Sequence, residues 1–88
     1  MTVKTYAYDL AEGVRTLVVP QSVNVQHICI HNHEHNQNHE IFVGGPDVTL
    51  TNGMHAVATA TGVLQLLPGD ELYAIANQAS NLRILVVR

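Results

Sequence analysis

The sequence predicts an all-β domain, a small antiparallel β-sandwich of jelly-roll type with seven to eight short strands. Three observations predict this class. Apolar residues occur in short runs rich in Val, Ile, Leu, Thr and Tyr. Turn residues separate these runs, and no long segment has the period of an amphipathic helix. With 88 residues the chain allows one domain, which we expect to span residues 1–88.

The strands follow from these runs and from the turn residues that end them. Gly44-Gly45-Pro46-Asp47 and Pro68-Gly69-Asp70 are strong turn signals, and Asn52-Gly53 predicts a two-residue hairpin turn. Asp9–Val14 has room for one helical turn. The runs from which the seven to eight strands are expected are, in chain order, Thr2–Tyr8, Val14–Val19, Val23–Asn32, Ile41–Val43, Val48–Thr51, the weaker Met54–Ala60, Val63–Leu67, Glu71–Ala76 and Leu82–Val87.

The third run changes phase along its length. Val23 and Val25 share one side of an extended strand, whereas Ile28 and Ile30 share the other. Because a strand shows one face to the core, this pattern predicts either a bulge near Gln26 or partial cover on both faces.

The first and last runs are the predicted contact surfaces. Residues 1–8 alternate in a way that fits an extended arm able to add to a neighbouring sheet. The last run is apolar in both phases after Arg83, which predicts a strand buried on both faces, one of them by another subunit. The predicted interface residues are Val3, Tyr6, Tyr8, Leu82, Ile84 and Val86.

Composition and charge exclude several classes of function. Only 12% of residues are charged and 47% are hydrophobic, so the chain is not disordered and self-association is expected to cover apolar surface. The net charge of −3 gives no basic footprint for nucleic acid. No stretch approaches the roughly 20 apolar residues of a membrane span, and no signal peptide is recognisable, so we expect synthesis in the cytoplasm. Cys29, the single cysteine, cannot form an internal disulfide.

The segment His31–Glu40 is the one chemically distinctive stretch. Residues two apart on an extended strand point the same way, so His31, His33 and His35 are expected to line one face. Imidazole is the commonest transition-metal ligand, and Glu40 could add a carboxylate oxygen. Three interpretations stay open: a solvated loop, a metal site within one chain, and a site shared by three chains around an axis. No other cofactor is expected.

The C-terminal half resembles small structural proteins of tailed bacteriophages. The resemblance rests on a Gly-Gly-x-Asp-Val-Thr segment, an Asn-Gly turn, a Gly-Asp-x-Leu-Tyr-Ala-Ile-Ala strand and an arginine in the last strand. The matching residues are Gly44, Gly45, Asp47, Val48, Thr49, Asn52, Gly53, Gly69, Asp70, Leu72, Tyr73, Ala74, Ile75, Ala76 and Arg83. The resemblance implies a virion protein, such as a capsid decoration or cement protein or a head-fibre module. Such proteins are β-rich, often trimeric and not enzymes.

A second resemblance, to the cupin family, gives the alternative. His33-Glu34-His35, four further residues and Glu40 match the spacing of the first cupin metal motif. The glycine expected downstream is replaced by Asp47, and no histidine follows His55 to supply the fourth ligand. This resemblance implies a small metal-binding protein or enzyme that lacks one of its ligands.

The sequence thus favours a capsid decoration protein on the virion surface. Its expected partners are the major capsid protein and further copies of itself, most simply in a trimer. No enzymatic activity and no small-molecule substrate are expected.

Overall fold

Two four-stranded antiparallel sheets pack face to face in a computed structural model that describes residues 2–56 and 61–88. The strands are β1 (Val3–Leu10), β2 (Thr16–Val19), β3 (Gln26–Asn32), β4 (Ile41–Gly44), β5 (Met54–Ala56), β6 (Thr61–Leu66), β7 (Leu72–Ala76) and β8 (Ser80–Val87). The sheet orders are β1-β8-β3-β6 and β2-β7-β4-β5. These orders are those of an eight-stranded jelly roll, so the predicted fold class is confirmed.

The core lies between the sheets and is aliphatic. Along β3, buried residues alternate with exposed or half-buried ones, as the two-residue period of a strand requires. The same alternation runs along β8. Each fully buried side chain of this size contributes about 1.5–3 kcal/mol of hydrophobic free energy. The core residues are Leu10, Val18, Val19, Ile28, Ile30, Ile41, Val43, Leu66, Leu72, Ala74, Ala76, Leu82, Ile84 and Val86.

The N-terminal residues form an integral strand rather than an arm. β1 pairs with β8 along its whole length, from Val3 opposite Val87 to Leu10 opposite Ser80. Leu10 is buried in the core. From residue 3 onward, therefore, the arm predicted over residues 1–8 is wrong, because these residues pair with β8 of the same chain as the edge strand of the sheet.

The phase change of the third run has a simple origin. β3 begins only at Gln26, and Val23 lies in the preceding loop with 88% of its surface exposed. The predicted bulge near Gln26 is therefore absent, and β3 pairs regularly with β6 and β8. A register shift occurs instead in β2, between Leu17 and Val19. Gln26 itself is fully buried, donating to the Pro20 carbonyl and accepting from the Arg88 guanidinium.

Residues 45–53 form a looped connection, so the strand predicted at Val48–Thr51 is wrong. Val48 is buried and packs directly against Gly53. A Cβ atom added at Gly53 would lie only 2.7 Å from Cγ2 of Val48. Asn52 accepts a hydrogen bond from the backbone N–H of Thr49, which makes a wider turn than the predicted two-residue hairpin.

Two other expectations concern loops and boundaries. Residues 9–14 contain no helical turn, and Glu12 instead forms an isolated bridge with Ala76. The last four residues of the run predicted at Met54–Ala60 lie outside the described residues. In the described ranges no helix is long and apolar enough to cross a membrane.

Candidate interaction face and histidine segment

The sheet β1-β8-β3-β6 leaves its solvent side uncovered. The register brings two rows of outward residues together across its four strands. We call these eight positions the outer face: Val3, Val87, His27 and Gln65 in one row, and Thr5, Leu85, Cys29 and Val63 in the next. None of them is Asp, Glu, Lys or Arg.

The centre of the outer face is apolar and concave. Val63 is 81% exposed and Leu85 37% exposed, although both side chains are aliphatic. A shallow open groove of about 380 Å³ lies there, lined by His27, Ile28, Cys29, Val63, Leu64, Gln65, Leu85 and Val87. Exposed apolar surface gathered in one place is typical of a protein–protein contact.

The opposite sheet has its solvent side partly covered by the protein itself. Arg15 donates from Nε to the Val48 carbonyl at 3.0 Å and from Nη1 to the Pro46 carbonyl at 2.6 Å. These bonds hold the loop 45–53 close to the start of β2. Ile75, which points outward from β7, is only 8% exposed, whereas Leu17 on β2 is 39% exposed. The solvent sides of the two sheets therefore differ in degree, and the outer face has the more strongly exposed aliphatic residues Val3 and Val63.

The structure corrects the predicted interface residues. Leu82, Ile84 and Val86 are at most 1% exposed, so they belong to the core and cannot contact a partner. The alternate positions of β8 are apolar on both sides of the strand, as the sequence indicates. The residues that point away from the core are Leu85 and Val87.

The three residues predicted from the first run also divide between the two sides of β1. Val3 is 60% exposed and belongs to the outer face. Tyr6 and Tyr8 are half-buried and pack against the core. Tyr8 donates from its hydroxyl to the Val18 carbonyl at 2.8 Å, which joins the two sheets. Burial raises the pKa of Tyr8, and Tyr6 raises it further.

The three predicted histidines follow one another along the chain at the end of β3. The ring centres of His31 and His33 are 5.5 Å apart, and those of His33 and His35 are 6.3 Å apart. Nδ1 of His31 lies 3.0 Å from the hydroxyl of Thr61 on β6. The backbone N–H of His33 donates to the Asn81 carbonyl at 3.0 Å, which holds this part of the chain against β8.

The neighbouring carboxylates are engaged elsewhere. Glu34 accepts from the backbone N–H of Asn81 at 2.6 Å. Glu40 lies 3.4 Å from Nε2 of His55 and accepts from Asn77 at 3.2 Å. Within residues 2–56 and 61–88, no three His, Cys, Asp or Glu side chains are grouped as metal ligands.

A metal centre of the cupin kind does not fit this arrangement. That centre would need His33, His35 and Glu40 to converge on one ion. His33 and His35 are exposed in the loop after β3, whereas Glu40 contacts His55. We therefore derive no catalytic step from these residues.

Asn32 positions the histidine segment, and sequence analysis did not single it out. Its side chain is completely buried and donates to the carbonyls of His39 at 3.1 Å and Ala56 at 2.8 Å. Its amide oxygen accepts from the backbone N–H of Glu34 at 3.2 Å. One side chain thus fixes both ends of the loop and β5. The signal available in the sequence was a polar residue in phase with Ile28 and Ile30, as Gln26 is at the other end of β3.

Comparison with known proteins finds likeness in structure alone. No protein-family model matches the sequence, and no curated protein matches it significantly. A solved chain from Bacillus endospore appendages, described as a novel family of disulfide-linked pili, is similar in fold with a TM-score of 0.56. The match covers 97% of this chain and 84% of that one at 7% sequence identity, so it supports the fold and no more.

Proposed function

We propose that the protein is a non-catalytic structural subunit of a phage virion, a capsid decoration protein that binds and stabilises the assembled shell as a trimer. The observation that carries this proposal is the outer face, an uncovered apolar surface on a domain whose other broad face is partly covered by its own loop. The sequence resemblance to phage structural proteins supplies the kind of assembly. The proposed partners are the major capsid protein and two further copies of the chain.

The size of the subunit makes such contacts important. A standard interface covers about 800 Å² on each partner, and the isolated subunit exposes 4941 Å². One contact of standard size on the outer face would therefore cover roughly a sixth of the surface. Burying Val63, Leu85 and Val87 in a trimer would remove apolar groups from water, which is a favourable change.

The mechanism that we propose is mechanical. A trimer presents the same weak shell contact three times, so that all three must break before the protein leaves. Bound trimers would then hold neighbouring shell subunits together against outward pressure. This role requires surface complementarity and rigidity, both of which a jelly-roll domain with an aliphatic core can supply.

A second candidate, an appendage subunit, is favoured by the similar fold of the pilus chain. A cyclic trimer and a fibre both join one surface of a copy to a different surface of the next copy. The trimer forms when the rotation between copies closes a ring, and a fibre forms when the rotation does not close. In an appendage subunit, the contact made by the outer face would be of the second kind. Negative-stain electron microscopy of concentrated protein separates the two, because a decoration protein gives discrete particles and an appendage subunit gives filaments.

Sedimentation with shells tests the proposal. Untagged protein is mixed with shells assembled from the coat protein of the same phage and is centrifuged through sucrose. We expect the protein to sediment with the shells at a fixed ratio to the coat protein. The variant Leu85→Arg, which places a charge on the outer face, is expected to lose this binding because it also loses the trimer. Absence of the wild-type protein from the shell fraction at saturating concentration would contradict the proposal.

A further inference from the structure

We propose that His31 and His33 form a two-histidine surface site for a borderline divalent cation such as Zn²⁺, Ni²⁺ or Cu²⁺. Two imidazoles that bind one tetrahedral ion through nitrogens at about 2.1 Å have their ring centres about 5.3 Å apart. The rings of His31 and His33 are 5.5 Å apart before any ion is added. The spacing of the two rings therefore matches a shared ion, and side-chain rotation from their edge-to-face arrangement would direct one nitrogen of each ring to it.

His35 extends the row without completing the pair. Its ring centre is 6.3 Å from that of His33, which is too wide for a tetrahedral angle at a shared ion unless a side chain rotates. The site therefore has two protein ligands within one chain, in agreement with the absence of any three-residue ligand group in the described ranges. The ion keeps open positions for water or for donors from another molecule.

Thr61 prepares His31 for this role. Its hydroxyl lies 3.0 Å from Nδ1 of His31. In the tautomer in which Nδ1–H donates to this hydroxyl, the lone pair of Nε2 is free to bind the ion. Histidine ligands in metal sites commonly have the second ring nitrogen bonded in this way, which fixes the ring orientation. The register of β3 and β6 places Thr61 directly opposite His31, so the contact is built into the sheet.

The charged side chains around His31 and His33 include both signs, and they influence how tightly a cation would bind. Arg83 lies opposite His31 on β8 and points to the same side of the sheet, so it repels a bound cation. The carboxylate of Glu34 is directed to the backbone of Asn81, and Asp9 is bonded to the amide of Asn81. Because both protein ligands are imidazole nitrogens, the site favours ions that prefer nitrogen ligands over Mg²⁺ and Ca²⁺, which prefer oxygen ligands.

Metal titration of untagged protein, purified without a nickel column, tests this site. Isothermal calorimetry with Ni²⁺ and Cu²⁺ is expected to show one ion per chain, Cu²⁺ binding more tightly than Ni²⁺ and Mg²⁺ giving no heat. His33→Ala is expected to weaken binding more than about tenfold, since loss of an outer-sphere partner alone commonly costs that much. Thr61→Val is expected to have a smaller effect, and Arg83→Gln to strengthen binding about threefold by removing a like charge.

His55→Ala is the matched control, because His55 is an exposed histidine on β5 of the opposite sheet, outside both the pair and the outer face. It is expected to bind Ni²⁺ and Cu²⁺ with wild-type affinity. His33 is exposed, so its replacement should leave the fold intact, which circular dichroism verifies. Equal affinities for the wild-type protein and His33→Ala would overturn the proposal, as would an equal loss in His55→Ala.

Discussion

Adjacent residues on β8 should respond in opposite ways to truncation, because Ile84 faces the core and Leu85 faces outward. Ile84 is 1% exposed, and Ile84→Ala removes three buried carbon atoms. At about 0.8 kcal/mol per buried carbon, the transfer contribution is about 2.4 kcal/mol. The cavity that remains raises the expected loss in the free energy of unfolding to about 3–4 kcal/mol. For a domain of this size, such a loss lowers Tm by roughly 12–32 °C.

Leu85→Ala is the matched variant. Leu85 is already 37% exposed in the single subunit, so truncation should cost the subunit less than about 1 kcal/mol. Its main effect is expected on self-association, which makes the unfolding midpoint of the wild-type protein depend on concentration. Ile84→Ala should lower the midpoint at every protein concentration, whereas Leu85→Ala should weaken the concentration dependence.

Urea unfolding followed by circular dichroism, at protein concentrations a hundredfold apart, provides the measurement. An equal or larger subunit destabilisation in Leu85→Ala would refute the reasoning, since it would mean that Leu85 and not Ile84 faces the core.

Three further changes test other parts of the structure. Asn32→Ala leaves the His39 and Ala56 carbonyls without their donor and should cost about 2–4 kcal/mol in urea unfolding, with the exposed Asn24→Ala as a near-neutral control. Burial raises the pKa of Tyr8 in the folded state, so the unfolded chain loses its phenol proton first as pH rises. The free energy of unfolding should therefore fall as pH rises above 10, and this fall should be smaller in Tyr8→Phe. Gly53→Ala places a Cβ 2.7 Å from Phe42 and Val48 and should cost about 1–3 kcal/mol by thermal melting, whereas Gly45→Ala, with its nearest contact at 3.4 Å, should cost less.

The strands could be predicted from the sequence because each depends on local signals. Short apolar runs ended by Pro20, by Gly44-Gly45-Pro46-Asp47 and by Pro68-Gly69-Asp70 are sufficient to locate most of them. The loop at 45–53 could not be predicted in this way. Val48 and Leu50 alternate as in a strand, yet Val48 is buried through packing against Gly53 and through the bond of its carbonyl to Arg15, which lies 33 positions earlier.

The interface prediction failed where two phases of one strand are both apolar. In β8, Ile84 and Leu85 are equally hydrophobic, and only the position of the second sheet decides which of them is buried. The N-terminal arm failed for a related reason. An edge strand and a free arm have the same alternating sequence. What distinguishes them is the pairing of β1 with β8, which joins residues as distant in the chain as Val3 and Val87.

The histidine segment could be predicted only in its local part. The two-residue spacing predicts neighbouring rings for His31 and His33, whose ring centres are 5.5 Å apart at the end of β3. His35 lies in a bend beyond the strand, and its ring centre is 6.3 Å from that of His33. Glu40 could not be placed, because its partners His55 and Asn77 come from other strands and loops.

Native mass spectrometry of the untagged protein and of two leucine variants tests the central claim most directly. Leu85 is 37% exposed on the outer face, and Leu17 is 39% exposed on the opposite sheet, so Leu85→Arg and Leu17→Arg introduce the same charge at equal exposure. The account predicts a trimer for the wild-type protein and for Leu17→Arg, and a folded monomer for Leu85→Arg. A monomeric wild-type protein, or a trimer that survives Leu85→Arg, would contradict the assignment of the outer face as the assembly surface.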